Sequence, residues 1–223
     1  MASLARLGEE VLATARKMNA CGINRGAAGN VSARVPGRKL EFVITPTGMA
    51  YADCTAADMV RVGRGGEWLD PESRLPSSEW RFHHDIYVAR PEAGAVVHTH
   101  SPFATALACQ ELGVPAFHYM IARFGGDSVR CADYATFGTQ YLSDHVLLAL
   151  EGRCACLMAH HGMVVFGKDL RQALDLAVEL ETLCEQFWRV IQLGEPKLLP
   201  DDEMQRVLAL FAGYGQQTES EDT

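Results

Sequence analysis

Apolar residues recur near the start of the chain at the spacing of one helical face. Leu4, Leu7, Val11, Leu12, Ala15 and Met18 form a single stripe within residues 3–21, and Gly22 ends it. The period then changes. NVSARV (30–35), LEFVIT (40–45) and DMVRV (58–62) are short runs separated by Gly- and Pro-bearing turns, a pattern that predicts an antiparallel meander. After a polar loop over 63–76, Ser77 or Ser78 is placed to cap a helix reaching about Arg90, where Pro91 stops it. GAVVHTH predicts a strand, and Pro102 opens a helix running to about Gly113. The glycine- and aromatic-rich stretch 114–138 reads as strand and loop, 139–151 as helix, and CACLMAHHGMVVFG (154–167) as strand pairs. Asp169 caps the longest helix, roughly 170–193, with Leu170, Leu174, Ala177, Val178, Leu180 and Cys184 facing inward. Gly194 and Pro196 close that helix, and a last one covers about 201–212. Strands mixed with helices, without repeat or linker, predict one α/β domain over residues 1–215 and a disordered tail over 216–223.

Composition narrows the partners. The chain has 223 residues, a formal net charge of −8 and a pI near 5.5, so a nucleic-acid phosphate backbone is disfavoured as a partner. No apolar run approaches the roughly 18–20 residues of a membrane span, and the N-terminal helix is charged throughout, unlike a signal peptide. Seven cysteines, none in a Cys-x-x-Cys pair, suit reduced thiols and a cytoplasmic protein.

Candidate chemistry centres on histidine. In AVVHTHSPF (95–103), His98 and His100 stand two residues apart at a strand end, so both project from one face. That spacing suits a chelating pair or two polar residues at a sheet edge. His160 and His161 follow a second buried run, and a His-x-His pair with a distant third His matches a metal site with an open position. His118 and His145 read as structural, and His83 and His84 as surface or packing residues. Glu79 opens a helix, where it either complements the helix dipole or serves as an acid/base beside a metal. GAAGNVS (26–32), TPTGM (45–49) and PSSE (76–79) are turns or caps, or together a neutral phosphate pocket of amides and hydroxyls. GRGGEW (63–68) reads as a hairpin.

GAAGNVSAR, ITPTGM, LPSSEWRFH, AVVHTH, PAFHYMIARFGGDS, DYATFGT and AHHGMVVFG, in this order, resemble the class II aldolase/adducin family over about residues 3–215. Within it, the resemblance is greatest to the L-fuculose-1-phosphate aldolase branch. It implies a three-layer α/β/α sandwich with a mainly antiparallel sheet, assembled as a homotetramer with active sites between subunits. It implies Zn2+, or Mn2+ or Co2+ in its stead, on His98, His100 and His161, with Glu79 as catalytic acid/base and fourth-ligand candidate. Asn30, Thr47, Gly48, Ser77 and Ser78 fall at substrate-phosphate positions, and Gly29 shapes that loop. Tyr119 and Phe137 fall on the aldehyde side, where Arg123 and Phe124 add bulk, and Tyr214 at the place of a neighbouring subunit's tyrosine. The activity implied is reversible cleavage of a ketose 1-phosphate to dihydroxyacetone phosphate and an aldehyde. The substrate would be L-fuculose 1-phosphate or a 5-deoxy- or 5-methylthio-ribulose 1-phosphate, with Glu79 serving C3 and Tyr119 or Tyr214 the C4 oxygen. Lys17, Lys39, Lys168 and Lys197 lie on an amphipathic helix or at turns, which disfavours a Schiff-base route. Alternatives on the same fold are a sugar-phosphate 4-epimerase, a methylthioribulose-1-phosphate dehydratase and a non-catalytic adducin-like binding domain.

Overall fold

Alternation along the strands divides their side chains between two helical layers. On β4 (Ala95–Thr99), Ala95 and Val97 face one layer, while Val96 and His98 face the other. The computed structural model describes residues 2–70 and 74–212. It contains one seven-stranded sheet in the order β3-β2-β1-β4-β7-β6-β5. The remaining strands are β1 (Asn30–Arg34), β2 (Phe42–Ile44), β3 (Val60–Val62), β5 (Cys131–Ala132), β6 (Ala155–Met158) and β7 (Gly162–Gly167). The sheet is mixed: every ladder is antiparallel except β5 with β6.

Val31, Val43, Val97, Leu157 and Val165 pack under α1 (Ala2–Ala20), α3 (Pro102–Ala108), α5 (Leu170–Gln192) and α6 (Asp201–Ala212). On the opposite face Phe42, Ile44, Val96, Val164 and Phe166 pack under α2 (Trp80–Ala89) and α4 (Gln140–Ala149). This is the α/β/α sandwich the sequence leads one to expect, including the β1–β2–β3 meander. Leu7, Val11, Leu12, Ala15 and Met18 of the first stripe are buried, as are Leu174, Ala177, Leu180 and Cys184 of α5. All seven cysteines are free thiols, and three of them are buried.

Three local expectations are corrected. Neither Ser77 nor Ser78 is the cap residue of α2; Glu79 occupies that position. The third strand starts at Val60, because Thr55 and Asp58 form a capping box that winds Ala56–Asp58 into a 3-10 turn. Within 114–138, Tyr119–Phe124 is a 3-10 helix rather than strand or loop. His118 caps its start by accepting from the Met120 amide, and Gly125 closes it at φ 95°.

The β6–β7 hairpin turns through Ala159, His160 and His161, with His160 in the left-handed region at φ 53°. Gly162 then lies against β4, where a Cβ would collide with the Thr99 carbonyl oxygen. Nothing larger than a hydrogen fits at position 162, between the hairpin that follows His161 and the backbone that precedes His100. Gly162→Ala is therefore expected to cost about 1–3 kcal/mol in chemical denaturation. It should also weaken divalent-metal binding measured by equilibrium dialysis, because relief of the collision moves the hairpin away from β4.

Candidate metal centre and active site

β4 carries His98 near its end, and His100 follows as the chain leaves the sheet toward α3. The β6–β7 hairpin places His161 beside them. Glu79 makes no side-chain capping bond at the start of α2; its carboxylate turns to the histidines. One ligand atom from each of Glu79, His98, His100 and His161 lies within 4.8 Å of the others. His98 Nε2 stands 3.1 Å from His100 Nε2 and 3.1 Å from Glu79 Oε2, and His161 Nε2 stands 2.9 Å from Glu79 Oε1. The three rings are mutually tilted by 73–79°, so their nitrogens converge edge-first on a common point.

These donors suit a divalent cation. Four ligands about 2.0–2.1 Å from one tetrahedral ion would lie about 3.3 Å apart, close to the spacings observed. His98 Nδ1 donates to the Met163 carbonyl at 2.8 Å, which leaves the Nε2 lone pair for a metal. Glu79 is 6% exposed, and its Oε1 is buried without a hydrogen bond of acceptable geometry. A sealed carboxylate with an unsatisfied oxygen is costly unless a positive charge sits beside it. Burial raises the Glu79 carboxyl, but the His98 charge and the contacts with His161 and His98 outweigh it and hold Glu79 well below the usual range. Burial, then the His98 and His161 charges, pull His100 down to about 4, which keeps that imidazole neutral and able to ligate.

The three glycine–hydroxyl clusters meet at this end of the sheet. Asn30 is directly across from His98 in the β1–β4 ladder. Pro46 bridges to Pro76, the Thr47 amide bonds the Leu75 carbonyl at 3.0 Å, and the Ser77 amide bonds the Thr45 carbonyl at 3.0 Å. Asn30 Nδ2 donates to Ser77 Oγ and to Glu79 Oε2, each at 2.9 Å. Gly29 backs onto the His98 carbonyl so closely that a Cβ would overlap it, and Gly48 takes φ 67° in the exposed Thr47–Gly48 turn. A cavity of about 290 Å³ opens over the histidines, with Ala28, Ser78, His100 and His161 on its inner side and Tyr134 and Phe137 at its rim.

Phe137, 65% exposed, is thus at the mouth. Tyr119 does not line this cavity; it stacks on Phe211 of α6 with its ring half exposed. Arg123 and Phe124 do not stand on an aldehyde side within the chain. Phe124 is core, and Arg123 pairs with Glu179 of α5 at 3.1 Å, because the 3-10 helix presents these side chains to α5. Tyr214 lies outside the described residues. Three neighbours escaped the sequence reading as site residues: His83, Tyr134 and His160. His83, read as a surface or packing residue, is fully buried behind Asn30, and its sequence signal was its place in LPSSEWRFH one turn after Glu79.

Comparisons agree with this architecture. The sequence matches the class II aldolase and adducin N-terminal domain over residues 9–188. It is 54% identical over 201 residues to a 5-methylthioribulose-1-phosphate/5-deoxyribulose-1-phosphate aldolase of Rhodospirillum rubrum, covering 90% of this chain and 89% of that one. It is 43% identical over 211 residues to the L-fuculose phosphate aldolase of Escherichia coli K12, covering 94% and 96%. A solved L-fuculose 1-phosphate aldolase superposes with a TM-score of 0.88 at 35% identity, over 93% of this chain and 96% of the other. The chain belongs to the class II aldolase and adducin family.

Proposed function

We propose that this protein is a metal-dependent aldolase that reversibly cleaves a ketose 1-phosphate into dihydroxyacetone phosphate and an aldehyde. The observation that carries the reading is the convergence of His98, His100, His161 and the buried Glu79 beside a hydroxyl- and amide-lined recess. The ion is Zn2+, which suits three imidazoles and an open position; Mn2+ or Co2+ would substitute. When bound, it supplies a Lewis acid that draws electron density from the ketone as the C3–C4 bond breaks.

The chain's own groups do the rest. Ser77, Ser78, Thr47 and the amides around Gly29 and Gly48 hold the phosphate without a cationic side chain, and Asn30 supports them from behind by donating to Ser77. In condensation the ionised Glu79 takes a proton from C3 while the C4 oxygen gains one, and cleavage runs the two transfers in reverse. Binding of the remote phosphate fixes the reacting carbons near Glu79. The aldehyde end lies against Phe137 and Tyr134, an aromatic rim suited to a methyl or methylthio terminus. That rim and the 54%-identical relative favour 5-methylthioribulose 1-phosphate or 5-deoxyribulose 1-phosphate over L-fuculose 1-phosphate. Residues 1–215 act as one catalytic domain in the cytoplasm. The protein works as a homotetramer, with Tyr119 and Tyr214 serving the C4 oxygen in a neighbouring subunit's site. Tyr119 stacks on Phe211 near the end of α6, with its ring half exposed. The complete ligand set argues against a purely structural, adducin-like role.

A panel of ketose 1-phosphates assayed for dihydroxyacetone phosphate release should give highest turnover with the 5-deoxy and 5-methylthio substrates. Stripping the metal should abolish it and added Zn2+ restore it. No release from any substrate, or full activity after chelation, would refute the aldolase reading. Glu79→Gln should lower kcat by roughly 10²–10⁴-fold, and a near-normal rate would remove Glu79 from proton transfer. Ser78→Ala should act mainly by raising KM, and an unchanged KM would take Ser78 out of the phosphate pocket.

A further inference from the structure

Behind Glu79 runs a sealed chain of polar side chains that metal binding and phosphate capture do not account for. It joins β1 to α2, which are also tied at the far end by Arg34, whose guanidinium donates to the Tyr87 carbonyl at 2.9 Å. Asn30 and Ser32 share one face of β1, two residues apart, while His83 and Tyr87 share one face of α2, four apart. Ser32 and His83 have no exposed surface, Tyr87 has 1% and Asn30 has 2%.

Hydrogen-bond chemistry gives this chain a single direction. Asn30 Nδ2 lies 2.9 Å from Glu79 Oε2, and an ionised carboxylate only accepts, so the NH2 end of the amide must face Glu79. Its second hydrogen goes to Ser77 Oγ at 2.9 Å. Asn30 Oδ1 therefore faces away, 2.5 Å from His83 Nε2, which must carry the ring proton. His83 Nδ1 is then an acceptor and takes the Ser32 hydroxyl hydrogen at 2.7 Å. Ser32 Oγ in turn accepts from the Tyr87 hydroxyl at 2.8 Å. Protons thus point from Tyr87 to Ser32 to His83 to Asn30 to Glu79, and no member can turn round without leaving a buried group unpaired. Phe82 stacks on the His83 ring at 4.7 Å between centroids, which closes that face to water. Burial, reinforced by the His98 charge, pushes His83 down to about 3, so the ring is neutral at working pH as this order requires.

We propose that His83 is a positioning residue for Glu79: a neutral Nε2–H donor, locked by Ser32 and Tyr87, that fixes the Asn30 amide with its NH2 group toward Glu79 and Ser77. One amide thereby ties the acid/base to a hydroxyl of the phosphate recess. A packing histidine would need only its shape; this one needs its proton on Nε2. The proposal rests on the aldolase reading for its kinetic arm and stands apart from it in its spectroscopic arm.

The test uses the metal-loaded protein with its best ketose 1-phosphate. His83→Leu keeps the bulk and removes the donor; it should retain the metal yet lower kcat by about 10²-fold, with a much smaller change in KM. His83→Gln carries an amide N–H that can reach Asn30, and should recover most of that loss. In an Asn30→Ala background, His83→Leu should add little, since the intermediary is gone. Equal losses in both backgrounds, or no recovery by Gln, would overturn the proposal. If His83→Leu does not fold, 15N spectra of the wild-type imidazoles decide. A neutral Nε2–H ring for His83 across pH 5–9 is expected, and an Nδ1–H or charged ring would overturn the wire. Wild-type protein inert toward every ketose 1-phosphate would defeat the aldolase reading instead, and would leave the tautomer measurement to judge His83.

Discussion

Glu79 carries its charge where little of it meets water, and the arrangement around it follows from that constraint. Its two oxygens sit 3.1 Å from His98 Nε2 and 2.9 Å from His161 Nε2. Three imidazoles and a carboxylate pressed this closely are unfavourable as bare groups, because the anion lacks its hydration shell and draws a fully buried His98 toward its charged form. A divalent cation at the point of convergence removes both difficulties. The same burial that makes the site costly makes it useful, since charges held in a low-dielectric recess act on a reacting carbon more strongly than they would in water.

Convergence of this kind demands a stiff scaffold, and the sheet supplies it. β4 is flanked by β1 and β7, so the His98 backbone is paired on both sides, with Asn30 across one ladder and Val164 across the other. Glycine at 29 and 162 lets the neighbouring chain come against the β4 backbone where any side chain would force it off. The imidazoles thus inherit their geometry from backbone hydrogen bonds rather than from one another. Glu79 is aimed by the chain leaving the Pro46–Pro76 bridge, which also carries Ser77 and Ser78. The groups proposed for acid/base work and for phosphate capture therefore share a single short segment, and they move or hold still together.

The protein as a whole is acidic, yet the substrate proposed for it is an anion. The cavity-lining residues include no lysine or arginine. In the proposed reading hydroxyls, a glycine-bordered turn and backbone amides would take that role, which would leave the charge of a bound metal directed at the ketone rather than shared with a guanidinium. Tyr134 and Phe137 at the rim add apolar surface to the same recess, which suits the apolar terminus of the substrate proposed.

The sequence alone determined the layers and the outline of the chemistry. The helical stripe of α1, the meander after it, the His-x-His strand and the long capped helix were all legible because period and turn residues act locally. Ordered motifs such as PSSEWRFH, HTH and AHHGMVVFG identified the family and named Glu79, His98, His100 and His161 together. What lay outside local pattern had to wait for the fold. That Glu79 would turn its carboxylate away from its own helix start, that Arg123 and Phe124 would face α5, and that the ring at 118 would wind the next residues into a 3-10 helix are results of packing between distant segments. His83 is the sharpest case. Its neighbours in sequence suggest a surface or packing residue, and only the placement of β1 against α2 puts Ser32 and Asn30 on its two nitrogens. A residue's type fixes which bonds it can make, but the tertiary structure alone decides whether water or a buried amide receives them.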